Sequence, residues 1–212
     1  MERLIDANQV LLCGTLAAPP RWSHTTRGQD FFTFPLEIRR LSGTADTVRI
    51  IARRELLEDA VRDVSRLCVR GQLRSFNDHR GTGPRLIVSV YAMELCFTEE
   101  EDCDRVSLRG TICRPPTLRR TPLGREICDL MLAVQRHYGR SDYLPCICWG
   151  YDARRAAGWQ TGQELCLTGR LQSREYVKQG PDGPETRTTY EVSANEIDLT
   201  ENCEEADAGS WR

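Results

Sequence analysis

Val10-Leu11-Leu12-Cys13-Gly14-Thr15 and Val106-Ser107-Leu108-Arg109-Gly110-Thr111 decide how this 212-residue chain is read. Each hexapeptide places apolar residues at alternate positions and closes on Gly-Thr, the pattern of a half-buried strand ending in a turn. Working outward, residues 8–40 match residues 104–136 without a gap, 96 positions apart. Identical pairs include Pro19/Pro115, Pro20/Pro116, Thr25/Thr121, Gly28/Gly124, Leu36/Leu132 and Arg40/Arg136. The match resumes as Val69–Leu73 against Leu167–Leu171, now 98 apart. An ungapped run of this length is an internal duplication.

Within one unit the first strand is followed by a Pro-Pro loop. A Thr-x-x-Gly turn then leads into a second strand (Phe32, Phe34, Leu36, Ile38 or Cys128, Leu130, Leu132, Val134). The third strand covers 48–52 or 144–148. A short helix follows: Glu55–Ser65, with Leu57, Ala60, Val61 and Val64 on one stripe, or Tyr151–Trp159. The fourth strand covers 68–76 or 164–176, a Gly-rich hairpin tip covers 77–84 or 179–184, and the fifth covers 85–95 or 188–199. The predicted fold is all-β: two tandem OB-folds, five-stranded Greek-key barrels, each with a short helix between strands 3 and 4. The expected division is residues 1–98, an acidic linker 99–104, residues 105–199, and an acidic disordered tail 200–212.

Charge follows the same division. The net charge of −2 hides two blocks of +3 separated by a −5 linker and followed by a −3 tail. Lys178 is the only lysine, so the positive charge is almost entirely arginine, which both pairs with phosphate and stacks on bases. The ten cysteines include no C-x-x-C pair and are accompanied by only three histidines, which argues against a metal site. They read as small core residues of a reducing compartment. No cofactor is implied, and no Cys/His spacing resembles an enzyme's nucleophile signature. With no apolar run of membrane-span length and no signal-peptide core, the expected location is the cytoplasm, with the nucleoid.

Ser141-Asp142-Tyr143-Leu144-Pro145-Cys146-Ile147-Cys148-Trp149-Gly150 carries the chemistry. If Leu144, Cys146 and Cys148 face the core, Tyr143 and Trp149 lie on the wet face. A ring there either stacks on something flat, such as a nucleobase, or packs beneath a neighbouring loop. Arg170, Gln172, Arg174 and Tyr176 share one face of the fourth strand, suiting a groove that tracks a phosphate backbone. Arg119, Arg120 and Arg136 are further phosphate candidates.

The second unit resembles the bacterial single-stranded DNA-binding protein family. The resemblance lies in Val106-x-Leu108-x-Gly110-Thr111, Pro116, Thr121-Pro122-x-Gly124, Leu132-Ala133-Val134, Cys146-x-Cys148-Trp149-Gly150, Leu167-x-Gly169-Arg170-Leu171-Gln172-Ser173-Arg174-x-Tyr176 and Tyr190-Glu191-Val192. It implies four base-stacking positions: Tyr138, Tyr143, Trp149 and Tyr176. The equivalent first-unit positions hold Ser42, Thr47, Arg53 and Asp78, so every stacking aromatic is absent there. Arg53 and Arg74 remain as phosphate candidates, and Phe76 stands where Arg174 does. The family's acidic tail ends in a short apolar tip that recruits replication proteins, whereas this chain ends Ser210-Trp211-Arg212.

The implied function is sequence-nonspecific binding of single-stranded DNA in replication, recombination or repair, with no enzymatic activity. Affinity is carried mainly by the second unit. Family members commonly assemble four OB units, so the resemblance implies a homodimer, with replication or recombination proteins as further partners. The competing reading is a tandem-OB scaffold, a primosome or recombination accessory protein that mainly binds protein.

Overall fold

Val10, Leu12, Leu36, Val48, Ile50 and Val69 of the first repeat point inward, as do Val106, Leu108, Leu132, Leu144, Cys146 and Leu167 of the second. Strand alternation thus makes one core inside each repeat. The computed structural model describes residues 7–60, 66–78, 85–136, 138–180 and 183–200. The first repeat comprises β1 (Asn8–Leu16), β2 (Arg21–Thr26), β3 (Gln29–Arg39), β4 (Ala45–Arg53), α1 (Arg54–Ala60), β5 (Arg66–Asp78) and β6 (Arg85–Phe97). The second comprises β7 (Cys103–Ile112), β8 (Thr117–Arg120), β9 (Glu126–Gln135), β10 (Ser141–Trp149), α2 (Gly150–Ala156), β11 (Glu164–Gly180) and β12 (Gly183–Leu199).

β3 closes back on β1, and β9 on β7, so each five-stranded set forms a barrel. The helix between the third and fourth barrel strands turns the chain so that β4 and β6, and likewise β10 and β12, run parallel. Two details differ from the sequence reading. The residues after each Pro-Pro pair form extra short strands, β2 and β8, hydrogen-bonded along β3 and β9. The hairpin of the second barrel is longer than expected, with β11 running to Gly180 and β12 starting at Gly183. Residues 61–65 of the expected first helix and the tail from 201, including Trp211, lie outside the described residues.

β5 and β11 each shift register at a bulge, before Gly71 and Gly169. A Cβ on either glycine would run into the carbonyl oxygen of Tyr91 or Ser193 on the next strand. This close approach lets the strand bend round the barrel corner.

The two barrels are joined edge to edge. β1 pairs antiparallel with β7, giving one continuous twelve-stranded sheet. Val10 lies opposite Val106, its own counterpart in the repeat, so the seam sits on an approximate twofold axis. The acidic linker is shorter than expected because Cys103 and Asp104 already belong to β7. Its charge is partly answered by Arg66, which donates to the Glu100 carbonyl at 2.6 Å and to Asp102 at 2.7 Å. Among the described residues no helix is long and apolar enough to cross a membrane.

Candidate nucleic-acid interface

β10 pairs with β9 from Ser141–Gln135 to Trp149–Ile127, and its side chains alternate between the two faces, although Ile147, on the face of Tyr143 and Trp149, is buried as well. Leu144, Cys146 and Cys148 are buried, while Tyr143 and Trp149 are 49% and 37% exposed on the other face. Six residue steps along the strand set the two rings about 20 Å apart. Trp149 is the last strand residue before α2, and its indole N–H donates to Ser193 Oγ of β12 at 3.0 Å. That bond fixes the ring's orientation while leaving part of it open to solvent. Of the two open possibilities for these rings, neither is packed away beneath a loop.

Tyr138 stands 95% exposed in the turn between β9 and β10. The turn is closed by Arg136 N–H to the Arg140 carbonyl at 2.7 Å. Tyr176 lies on β11 opposite Arg187 of β12, and its side chain lies outside the described residues. Arg174, also on β11, is exposed opposite Thr189. Arg170 is exposed and lines a hollow at the seam with Arg40, Asp46, Asp102 and Asp104. Gln172, its amide oxygen turned toward Arg170, accepts from that guanidinium at 2.7 and 2.9 Å.

Arg136, Arg74, Arg120 and Arg119 are engaged elsewhere. Arg136 grips the buried carboxylate of Asp142 through Nε at 2.7 Å and Nη2 at 2.5 Å. Arg74 reaches the same carboxylate from the first barrel at 3.0 Å. The Ser75 N–H donates to Asp142 at 2.6 Å, and the Tyr143 N–H donates to Ser75 Oγ at 2.7 Å. Arg136 and Arg74 thus belong to the junction between barrels rather than to an open groove. Their shared acid is repeated across the approximate twofold axis. Arg40 holds Asp46 at 2.5 Å through two nitrogens, and Asp46 accepts from the Ser173 N–H at 2.8 Å. Burial works against ionisation of both acids, but Arg40 and Ser173, or Arg136, Ser75 and Arg74, outweigh it and hold the carboxyls below their usual range. The signal was present in the sequence as Arg-x5-Asp in both repeats, Arg40/Asp46 and Arg136/Asp142.

Arg120 pairs with Glu126 at 3.2 Å, and Glu126 is shared with Arg154 at 2.6 Å. Arg119 pairs with Asp129 through two of its nitrogens, Nε and Nη2. The Glu191 carboxyl of β12 is pushed up by burial, with Asp129 adding to it and Arg174 and Arg119 acting in the opposite direction.

The first barrel holds aromatics that position-by-position matching missed. Register places Tyr91 where the second barrel has Ser193, and Arg53 where it has Trp149. The ring has in effect moved across to the neighbouring strand. Tyr91 packs on Phe31 at 6.2 Å between ring centres, Phe31 stacks on His24 at 4.9 Å, and the Arg74 guanidinium lies 5.9 Å from the Tyr91 ring. Phe31, opposite Arg53, is buried beneath His24 and Tyr91, and Phe34 is core; of the three phenylalanines only Phe32 is half-exposed, with the Arg54 guanidinium 5.3 Å from its ring. Arg53 is half-buried, with Nε lacking a hydrogen-bond partner. Trp22 and Phe76 are exposed.

Residues 103–200 match the family model described as Single-strand binding protein family. Half of the chain is 30% identical over 114 residues to Single-stranded DNA-binding protein 3 of Listeria innocua and covers 69% of that protein. Over 105 residues, 46% of the chain, it is 32% identical to a single-stranded DNA-binding protein of Bacillus cereus and covers 60% of it. Among solved structures, a deletion mutant of the single-stranded DNA binding protein from Thermus aquaticus superposes with a TM-score of 0.72. That match is 25% identical and covers 91% of this chain and 93% of the other.

Proposed function

The chain belongs to the single-strand binding protein family, and we propose that it binds single-stranded DNA without sequence preference and without catalysis. The observation that carries this reading is the exposure of Tyr143 and Trp149 on one face of β10, about 20 Å apart. Flat rings offered to solvent on a strand stack on successive bases, and stacking tolerates any sequence because every base has a π-face. Tyr138 extends the row, and Tyr176 completes the set by its place on β11. Arg174 and Arg170 are the phosphate contacts, since both are exposed on β11, which β12 separates from the strand that carries Tyr143 and Trp149. Residues 105–199 carry most of the affinity. Tyr91, backed by the buried Phe31, forms with Arg53 a weaker site in residues 1–98.

The expected assembly is a homodimer bringing four barrels together, with the outer strands β2 and β8 at the ends of the sheet available for pairing. The setting is replication, recombination or repair in the cytoplasm.

Tryptophan fluorescence titrated with oligo-dT at low and high salt tests the reading. Quenching that weakens with salt and largely disappears in Trp149→Ala supports it. Salt-independent fluorescence with no bound oligonucleotide would leave the rings without a nucleic-acid ligand.

A further inference from the structure

Four thiols lie in one row across four neighbouring strands. Cys96 of β6 is directly opposite Cys68 of β5, Cys68 is opposite Cys13 of β1, and Cys13 is opposite Cys103 of β7. The Sγ atoms of Cys13 and Cys68 are 3.2 Å apart. Exposure is graded along the row: Cys96 is exposed, Cys68 half-buried, Cys13 buried and Cys103 half-buried.

The fold itself does not call for these thiols. The second barrel places Asp198, Cys166 and Arg109 at the positions of Cys96, Cys68 and Cys13, and Ala7 holds the counterpart of Cys103. A site that accepts aspartate and arginine is not one that needs small apolar packing. Cys128 and Cys148 also oppose each other, across β9 and β10, but both are buried in the core of their barrel.

Directly opposed residues of antiparallel strands have Cα atoms about 4.5–5.5 Å apart. That lies within the span a disulfide bridges, about 4.4–6.8 Å. We propose that Cys13 and Cys68 are a modification site, forming a reversible cross-strand disulfide by exchange with a low-molecular-weight disulfide that enters at the exposed Cys96. The Cys96 sulfur attacks the small disulfide, forming a mixed disulfide and releasing one small thiol. Cys68 then attacks the Cys96 sulfur and releases the second small thiol, giving Cys68–Cys96. Cys13 finally attacks the Cys68 sulfur, giving Cys13–Cys68 and restoring the Cys96 thiol. Overall, two protein thiols are oxidised, one small disulfide is reduced to two thiols, and the two protons leave on those thiols. Burial pushes the Cys13, Cys68 and Cys103 thiols up, and Glu100 of the linker adds to the effect on each. Direct attack on an outside disulfide from those three positions is therefore slow, so the exposed end of the row supplies the entry.

The test incubates the full chain with oxidised glutathione, quenches with an alkylating agent in denaturant, and maps peptides without reduction. The expected product is a Cys13–Cys68 link that reductant releases. Its formation slows by about tenfold or more in Cys96→Ser, since the buried pair loses its accessible entry thiol. Cys68→Ser abolishes the link. If that variant does not fold, the Cys96→Ser rate still decides. Glutathione that stays on Cys96 without resolving, a Cys13–Cys103 link in its place, or an unchanged rate in Cys96→Ser would each overturn the proposal.

Discussion

Asp142 and Ser75 meet across the junction of the two barrels, the buried carboxylate accepting the Ser75 N–H at 2.6 Å. Asp46 makes the corresponding bond to the Ser173 N–H from the other side. Each barrel therefore contributes one arginine-held acid that binds the backbone of its neighbour.

Removing Asp142 strands two guanidiniums, Arg136 and Arg74, about a quarter exposed. Breaking a fully buried pair costs about 3–5 kcal/mol, and this exposure reduces the figure for Asp142→Ala to roughly 2–4 kcal/mol. Asp46→Ala leaves only Arg40 unpaired and costs less. Urea denaturation measures both. A loss below about 0.5 kcal/mol for Asp142→Ala would mean that solvent compensates the arginines fully.

The aromatic face predicts a hierarchy. Trp149→Ala and Tyr143→Ala should each weaken oligo-dT binding by about 1–3 kcal/mol. Tyr91→Ala, whose ring is already partly occupied by Phe31 and Arg74, should cost less than either. Anisotropy of a labelled oligonucleotide gives the ranking. Equal losses at Tyr91 and Trp149 would show that the two barrels share the work evenly.

Arginines on the open face and arginines in the junction separate by salt. Each arginine–phosphate pair removed from a complex with single-stranded DNA lowers the slope of log K against log salt by about 0.7. Arg174→Ala should show that drop with stability unchanged. Arg136→Ala should show the reverse, lower stability with the slope unaltered. Parallel binding and denaturation series read both quantities.

Asp104 ties stability to pH. In the first barrel Asn8 donates to the Leu73 carbonyl and accepts its N–H, both at 2.8 Å. Asp104 takes that place in the second barrel and accepts the Leu171 N–H at 3.0 Å. An ionised carboxylate has no proton with which to copy the other bond. Burial first, with Asp46 adding to it, pushes this carboxyl up to about 7 against the pull of Leu171, Arg170 and Arg40. Between about pH 4 and 7 the folded chain then holds a proton that the unfolded chain has released, so this group's contribution to stability falls as pH rises through that window. Asp104→Asn should flatten that decline and raise stability at pH 8. Thermal melts from pH 5 to 8 check it, and an unchanged pH profile in the variant would exclude Asp104 as the source.

Much of the barrel architecture could be read directly from the residues. Val10, Leu12, Leu36 and their counterparts alternate, and a period of two fixes strands and core together. The seam could not be read this way, because alternation says which face of β1 is buried and nothing about which strand pairs with its edge. Arg136 reads as a phosphate contact because an arginine, even one repeated as Arg40, carries no sign of its partner. Asp46 and Asp142, six residues on, become informative only once the turn folds each acid back. Tyr91 escaped notice because it replaces Ser193 rather than Trp149, and an aligned search looks only at matching positions.

The twofold axis through Val10 and Val106 is approximate, and nucleic-acid strands have direction. A perfectly symmetric pair of barrels would meet a strand equally well read 5′ to 3′ or 3′ to 5′. With Trp149 and Ser193 on one side, and Arg53 and Tyr91 on the other, the two senses of threading are no longer equivalent. On the proposed function, a strand laid across the seam would meet different residues in its two polarities, so the covalent joining of two diverged halves makes the two directions inequivalent.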